Sequence, residues 1–255
     1  MSNIWIKGWT GRLGNNIIQL KNAIHLALSK NYNVIIPKHK YFSKTYISLN
    51  KNIGIHCKRI SDSNNFFSNL NLPDVDKNKL LRILRDCFII KDVSPFDSDD
   101  LVIHIRSGDI FDKDPHPDYI MPPLSYYVDI INTNKFKNIY LVSEDTKNPC
   151  INALLKLYPT IIFKLQPLEK DIRLILAAVN IVMSYGSMID SLFTFSHNIK
   201  TLYRPSYSLN IINQDNINYI TIDLDKYKEL LSPWKNTPEQ HNYMLTYRGV
   251  LKLTL

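Results

Sequence analysis

The sequence predicts an α/β protein with parallel sheet covered by helices, arranged as two halves. Three observations predict it. Short apolar runs rich in β-branched residues alternate with amphipathic, helix-length stretches. Several of these runs end in Gly- and Ser-bearing loops, where a strand would hand over to a helix. A turn-rich segment, "DVSPFDSDD" (Asp92 to Asp100), interrupts the alternation and sets a boundary that divides residues 1–95 from residues 96–255.

The first half opens on a strand, "IWIKG" (Ile4 to Gly8). "NNIIQLKNAIHLALSK" (Asn15 to Lys30) follows as a helix, with Ile17, Ile18, Leu20, Ile24, Leu26 and Leu28 on a broad apolar face. "NVIIP" is a second strand closed by Pro37, which has no N–H for a ladder, and it completes a βαβ unit. From Tyr41 to Leu72 the pattern weakens into Asn- and Ser-rich loops, then recovers as the helix "KNKLLRILRDCF" (Lys77 to Phe88).

The second half is more regular. A strand at Leu101 precedes the helix "PPLSYYVDII", the strand "NIYLVS", a helix from Cys150 to Tyr158 and the strand "IIFKL". The series continues through the helix "LEKDIRLILAAV", the strand "NIVMS", a helix from Met188 to Ser196 and the strand "IKTLYRP". Strands and helices alternating at this spacing argue for a parallel sheet covered on both faces. The tail from Lys226 to Leu255 reads as helices interrupted at Pro233 and Pro238.

Composition narrows the function. With 255 residues and 45% hydrophobic content, the chain supports one large or two small cores and is neither fibrous nor disordered. Thirty-one Lys and Arg stand against 23 Asp and Glu, a net charge of +8 that favours phosphates or an acidic membrane surface. The basic residues are scattered, "KHKYFSK" (Lys38 to Lys44) being the densest cluster, and no aromatic pattern suited to base stacking sits beside them. A nucleic-acid partner is therefore not expected. Cys57, Cys87 and Cys150 lack CxxC spacing, which excludes a zinc knuckle and fits a reducing compartment. The first residues show no signal-peptide h-region and no run is long enough to span a bilayer, so a cytoplasmic protein, with at most peripheral membrane contact, is expected.

Motifs fall on the strand-to-helix loops. "VIHIRSGDIF" (Val102 to Phe111) puts His104, Arg106 and Asp109 at the end of a buried strand, the rim where open α/β sheets bind ligands, although alternating polar residues also suit a half-exposed strand. In "GWTGRLGNNIIQ", Gly11 and Gly14 permit close backbone approach, the following helix offers unpaired N–H groups and Arg12 adds charge; the alternative is a tight turn and helix cap. It has neither GxGxxG spacing nor a P-loop Lys. "YLVSEDTKNP" offers Ser143, Glu144 and Asp145 to a ribose or base edge, or as helix N-caps. "NIVMSYGSMIDS" brings Ser184, Gly186 and Ser187 to a phosphate cradle.

Together these segments carry a resemblance. "GRLGNNIIQLKNAIHLAL" resembles the N-terminal glycine-rich motif of alpha-1,2-fucosyltransferases and protein O-fucosyltransferases, and "HIRSGD" resembles their HxRxGD-type motif. "YLVSED" and "VMSYGSM" are similar to later donor-site motifs of the superfamily that includes alpha-1,6-fucosyltransferases, in the same order along the chain. The resemblance implies a GT-B-like fold, two Rossmann-like halves facing a cleft, and a metal-independent inverting glycosyltransferase using a nucleotide sugar, most often GDP-fucose. It makes Arg106 the ligand of the donor diphosphate and puts His104 and Asp145 near base or ribose. The same resemblance implies that Ser184 and Ser187 lie by the phosphates and that Arg12 and Asn15 approach the donor from the facing half. One position departs: Ser107 stands where many relatives carry a second arginine. The short first half leaves the glycan or glycolipid acceptor unassigned.

The chemistry is coherent with that implication. In glycosyl transfer, negative charge builds on the leaving diphosphate while the acceptor hydroxyl loses a proton. A guanidinium at Arg106 meets the first need, so no metal or other cofactor is expected. The base is open among Asp109, a turn or cap residue as readily as a catalyst, and Asp112, Asp114, His116 and Asp118 in "FDKDPHPDYIMPP". Asp112-Lys113-Asp114 and Asp97-Ser98-Asp99 have DxD spacing, which acidic turns also produce. UDP- or dTDP-linked sugars such as rhamnose remain alternatives. So does a non-catalytic nucleotide-sugar or glycan-binding protein, which the Ser107 departure favours. Trp5, Trp9, Tyr126 and Tyr127 either stack on an acceptor sugar or pack in the core.

Overall fold

A computed structural model describes residues 2–49, 58–59, 72–208, 214–248 and 253–254. Cys57 lies outside them, whereas Cys87 and Cys150 are free thiols in the core. The chain divides into two compact units, Met1–Asp92 and Val93–Leu255.

In the first unit, β1 (Ser2–Trp5), α1 (Leu13–Lys30) and β2 (Asn33–Ile35) form the expected βαβ unit. They are joined by β3 (Tyr46–Ile47), β4 (Lys58–Arg59) and α2 (Lys77–Cys87). The sheet order is β3-β2-β1-β4, with β1 parallel to both neighbours and β3 antiparallel to β2. β1 is thus the strand at which the chain reverses direction across the sheet. α1 buries Ile17, Leu20, Ala23, Ile24 and Ala27, a stripe at helical spacing, and leaves Ile18, Leu26 and Leu28 half-buried; the apolar face is narrower than the sequence suggested. Asn31 ends the helix in the left-handed region at φ 53°, which Asn tolerates. α2 starts at an Asp76 cap, whose carboxylate accepts from the Lys79 N–H at 3.0 Å, and buries Leu80, Leu81, Leu84 and Cys87.

The second unit holds six parallel strands: β5 (Leu101–His104), β6 (Ile139–Val142), β7 (Ile162–Phe163), β8 (Asn180–Val182), β9 (Thr201–Pro205) and β10 (Asn218–Ile222). The spatial order is β10-β9-β8-β5-β6-β7, with β11 (Leu253–Thr254) antiparallel on β10. Numbered along the chain, the parallel strands run 3-2-1-4-5-6, the Rossmann-like order, and the reversal falls between β5 and β8. The crevice beyond the carboxyl ends of those two strands is where such sheets receive ligands.

Helices flank this sheet. α3 (Leu124–Thr133), α4 (Pro149–Leu157) and α8 (Pro238–Thr246) pack on one another, α5 (Leu168–Ala177) packs on β5, β6 and α6 (Ser187–Leu192), and α7 (Asp225–Leu231) follows β10. β5 is buried along its whole length; Leu101 and Ile103 belong to the cluster with Tyr126, Tyr127, Leu154 and Trp234, and Val102 points to the other face. Tyr126 and Tyr127 have no exposed surface, and Tyr126 donates to the Met183 and Tyr203 carbonyls at 2.9 and 3.1 Å. They are core residues, which corrects the acceptor-stacking alternative. Trp5 is 41% exposed, and Trp9 packs edge-on to His39 at 5.2 Å.

The tail departs from expectation. Ahead of it, "NYITI" forms β10, a strand not among those expected, paired along five residues with β9. Pro238 starts α8 instead of interrupting a helix, because a missing N–H costs nothing in a first turn, and Thr237 and Gln240 close a capping box around it. The end of the described chain is strand β11 where helix was expected.

Candidate functional site

β5 delivers its motif to the switch point. His104 is its last residue and is buried against Ser184, which follows β8. The Arg106 backbone N–H donates to Ser184 Oγ at 2.8 Å, and Ser184 Oγ lies 3.2 Å from His104 Nδ1. The hydroxyl oxygen accepts from Arg106 and pairs with an imidazole that is neutral at physiological pH, the tautomer setting which of the two groups donates. A third link, from the Ser184 N–H to the His104 carbonyl at 3.1 Å, completes a clamp joining the two strand ends. Burial, with the neighbouring Arg106 charge second, lowers the His104 pKa from 6.5 to about 3.

That clamp makes a pH prediction. An imidazole whose folded pKa is depressed contributes nothing adverse above pH 6.5. As pH falls from 6.5 toward about 3, the unfolded chain binds a proton that the folded chain refuses, and stability falls by up to about 1.4 kcal/mol per pH unit. His104→Gln is expected to flatten that part of the denaturant-measured stability profile. A variant with the wild-type slope would show that His104 is not the group responsible.

Arg106 stands on this clamp with its side chain only 12% exposed. Nη2 meets Asp109 Oδ1 at 3.1 Å, and Cζ sits 4.8 Å from the Tyr119 ring centroid, a cation–π contact that holds the guanidinium plane. Tyr119 in turn contacts Tyr185, at 5.6 Å between ring centroids. Gly186 underlies the guanidinium: its φ of 150° favours glycine, and a Cβ there would come within 2.8 Å of Arg106 Nη1. Nε is buried without a hydrogen-bond partner, as is Ser143 Oγ at the end of neighbouring β6. Two unsatisfied polar groups therefore flank the switch point.

The next loop is locked from within. Asp145 Oδ1 accepts from the Ser107 hydroxyl, from the Gly108 N–H at 3.3 Å and from the Lys147 N–H at 3.0 Å. Ser107 Oγ accepts from the Asn148 N–H at 3.0 Å, and the Asn148 side chain donates to the Arg106 carbonyl at 2.9 Å. Ser107, which has no exposed surface, is the pin of this loop. Burial pushes the Asp145 pKa up, but the bonds from Ser107, Lys147 and Gly108 outweigh it and hold the group below the usual carboxylate value. Gly108, at φ 75°, turns the chain beneath the Glu144 carboxylate, which leaves no room for a side chain. Ser187 begins α6 half-buried, one residue beyond Gly186.

The acidic loop is solvated. Asp109 is 58% exposed beside Arg106, and Asp112 is engaged by Lys147 Nζ at 2.6 Å. Asp114, His116 and Asp118 are exposed, His116 lying 3.9 Å from Asp118. Trp234 anchors the loop, donating to the Ile110 carbonyl at 2.7 Å and, through its backbone, to the Pro117 carbonyl at 2.9 Å. Of the two DxD triplets, Asp97 faces Lys137 at 3.6 Å; among the described residues no three His, Cys, Asp or Glu side chains gather as metal ligands.

In the first unit, the loop after β1 is stapled by the helix it precedes. Asn16 donates to the Thr10 carbonyl at 3.0 Å, and Gln19 accepts from the Thr10 N–H at 3.1 Å. Both are buried, and Asn16 Oδ1 also faces His39 Nε2 at 3.2 Å. Gly11, at φ 73°, turns over the Asn15 side chain; Gly14 is buried in the first turn and Arg12 is exposed at the N-cap. Asn16 and Gln19 were quoted in the motif without a role. Polar residues on the buried side of an apolar helix were the signal that marks them as staples.

Neither the family models nor the curated proteins contain a match to this chain. No helix among the described residues is long and apolar enough to cross a membrane.

Proposed function

We propose that the β5/β8 switch point binds the diphosphate of a nucleotide sugar and that the protein is an inverting glycosyltransferase, with fucose from GDP-fucose as the first donor to test and a glycan hydroxyl as acceptor. The observation that carries the reading is Arg106: a nearly buried guanidinium, clamped from the backbone by Ser184 and His104, at the reversal of a Rossmann-like sheet. A fixed cation in a site of low exposure stabilises charge that develops on a leaving diphosphate and needs no reorganisation to do so. Its orphaned Nε and the Ser143 hydroxyl supply further donors. Arg106 and these donors meet the diphosphate charge without calling on a divalent ion.

In this reading the acceptor oxygen attacks the anomeric carbon as its proton passes to a carboxylate, and the bond from that carbon to the diphosphate oxygen breaks with both electrons on the leaving group. Asp109 is the carboxylate at the guanidinium edge, whereas Asp112 is engaged by Lys147. Asp145 and Ser184 act as positioning residues, since their hydrogen bonds hold the loops that carry Arg106. The test is nucleoside diphosphate release from GDP-fucose, UDP-sugars and dTDP-rhamnose over a panel of glycan acceptors. Acceptor-dependent release that survives EDTA is the expected result. Nucleotide binding without release from any donor would leave a binding protein and end the transferase reading.

A further inference from the structure

Among the described residues, eight large apolar side chains are exposed, and four of them cluster in residues 157–168. They are Leu157 (56%), Ile162 (50%), Leu165 (52%) and Leu168 (37%). The stretch runs along the outer edge of the sheet: Leu157 ends α4 ahead of the amino end of β7, Ile162 lies on β7, the outermost parallel strand, and Leu165 and Leu168 follow its carboxyl end, Leu168 beginning α5. Lys156, Lys164 and Lys170 are exposed in or beside the same stretch. The acidic groups nearby do not cancel them, because Glu169 is 3.3 Å from Arg173 and Asp171 is buried, accepting from Gln166 at 2.8 Å.

We propose that this edge docks on anionic lipid, with the apolar side chains entering the headgroup–acyl boundary and the lysines lying among acidic headgroups. Protruding leucines among lysines are the composition of an interfacial surface, and soluble surfaces otherwise keep large apolar groups dispersed. A second copy added strand to strand is disfavoured by the edge itself: β7 is two residues long, carries Lys164 directly after it, and is bracketed by Pro159 and Pro167. Because the sheet is parallel, Leu165 and Leu168 follow the carboxyl end of β7, at the same end of the sheet as Arg106, Ser143 and Ser184. Docking there would bring a lipid-borne acceptor hydroxyl to that rim; this consequence rests on the transferase reading, while the docking surface does not.

Co-sedimentation of the whole protein, without nucleotide, tests it with vesicles of phosphatidylcholine alone and of equimolar phosphatidylserine and phosphatidylcholine. Binding to the anionic vesicles only is expected. The triple variant Lys156→Gln, Lys164→Gln, Lys170→Gln should bind on the order of 100-fold more weakly, from about a tenfold change or less per lysine. Leu165→Ser with Leu168→Ser should lose most binding while remaining folded, which circular dichroism checks, since neither side chain belongs to the buried core. Lys38→Gln, Lys40→Gln, Lys44→Gln in the first unit should bind within a few-fold of wild type. Equal loss in that control would replace the edge by diffuse positive charge. Equal binding to neutral vesicles, no binding at all, or a dimer by light scattering that the leucine variant dissolves would each overturn the proposal. Nucleotide binding is read separately, so either idea can fail alone.

Discussion

Arg106→Ala is expected to lower kcat/KM for the sugar donor by at least about 100-fold, the scale of removing one preorganised donor from a developing oxyanion. The variant should still fold, with a moderate drop in melting temperature. The folded state loses an ion pair to Asp109, a carboxylate 58% exposed, which contributes about 1 kcal/mol or less, together with the Tyr119 ring contact and the packing of a nearly buried side chain. It also sheds an Nε buried without a partner, which offsets part of that loss. Arg106→Lys keeps the charge but not the planar fork, and should fall between the two. Steady-state kinetics beside thermal unfolding checks the split. An Ala variant within a few-fold of wild type would place the diphosphate elsewhere.

Asp145→Ala is expected to act in the opposite way, through folding. One carboxylate oxygen accepts from Ser107, Gly108 and Lys147, and its removal strands a hydroxyl with no exposed surface. Charged acceptors of this kind contribute about 1.5–3 kcal/mol, so a loss of about 2–3 kcal/mol is expected for a group that keeps some exposure. Asp145→Asn retains an acceptor and should cost less than half of that. Because the folded pKa is depressed, the contribution is complete above the ordinary carboxylate range and is lost as pH falls through and below it, a more acidic window than that of His104. Urea denaturation of the two variants across pH measures both effects. An Ala variant as stable as wild type would mean that the loop holds without this pin.

The α/β pattern of the second unit was legible because buried parallel strands are continuous apolar runs, as in "LVIHI". β10 was not, since "NYITI", with Asn218 and Thr221 among its five residues, is not a continuous apolar run, and it takes its place by pairing with β9 and β11. The rim was legible too: His104, Arg106 and Ser184 were all singled out and lie together. Their division of labour was hidden. Ser184 reads as a phosphate ligand until its hydroxyl is found on a backbone N–H 78 residues away in sequence. Ser107 has no visible task until its partner Asp145, 38 residues on, is seen. Hydroxyl and carboxylate partners are set by the fold and leave no local spacing to read. Tyr119 sat in a quoted loop valued for its carboxylates, and only the structure puts its ring over Arg106.

The claim on which the rest depends is that the clamped Arg106 binds a nucleoside diphosphate. Calorimetric titration of GDP, UDP and dTDP, with and without EDTA, into wild type and Arg106→Ala tests it most directly. Selective binding of one nucleotide, unchanged by EDTA and abolished in the variant, is the expected result. If UDP or dTDP wins, the site stands and the fucose donor falls. Binding that is equal in wild type and Arg106→Ala, or no binding of any nucleotide, would contradict the site itself.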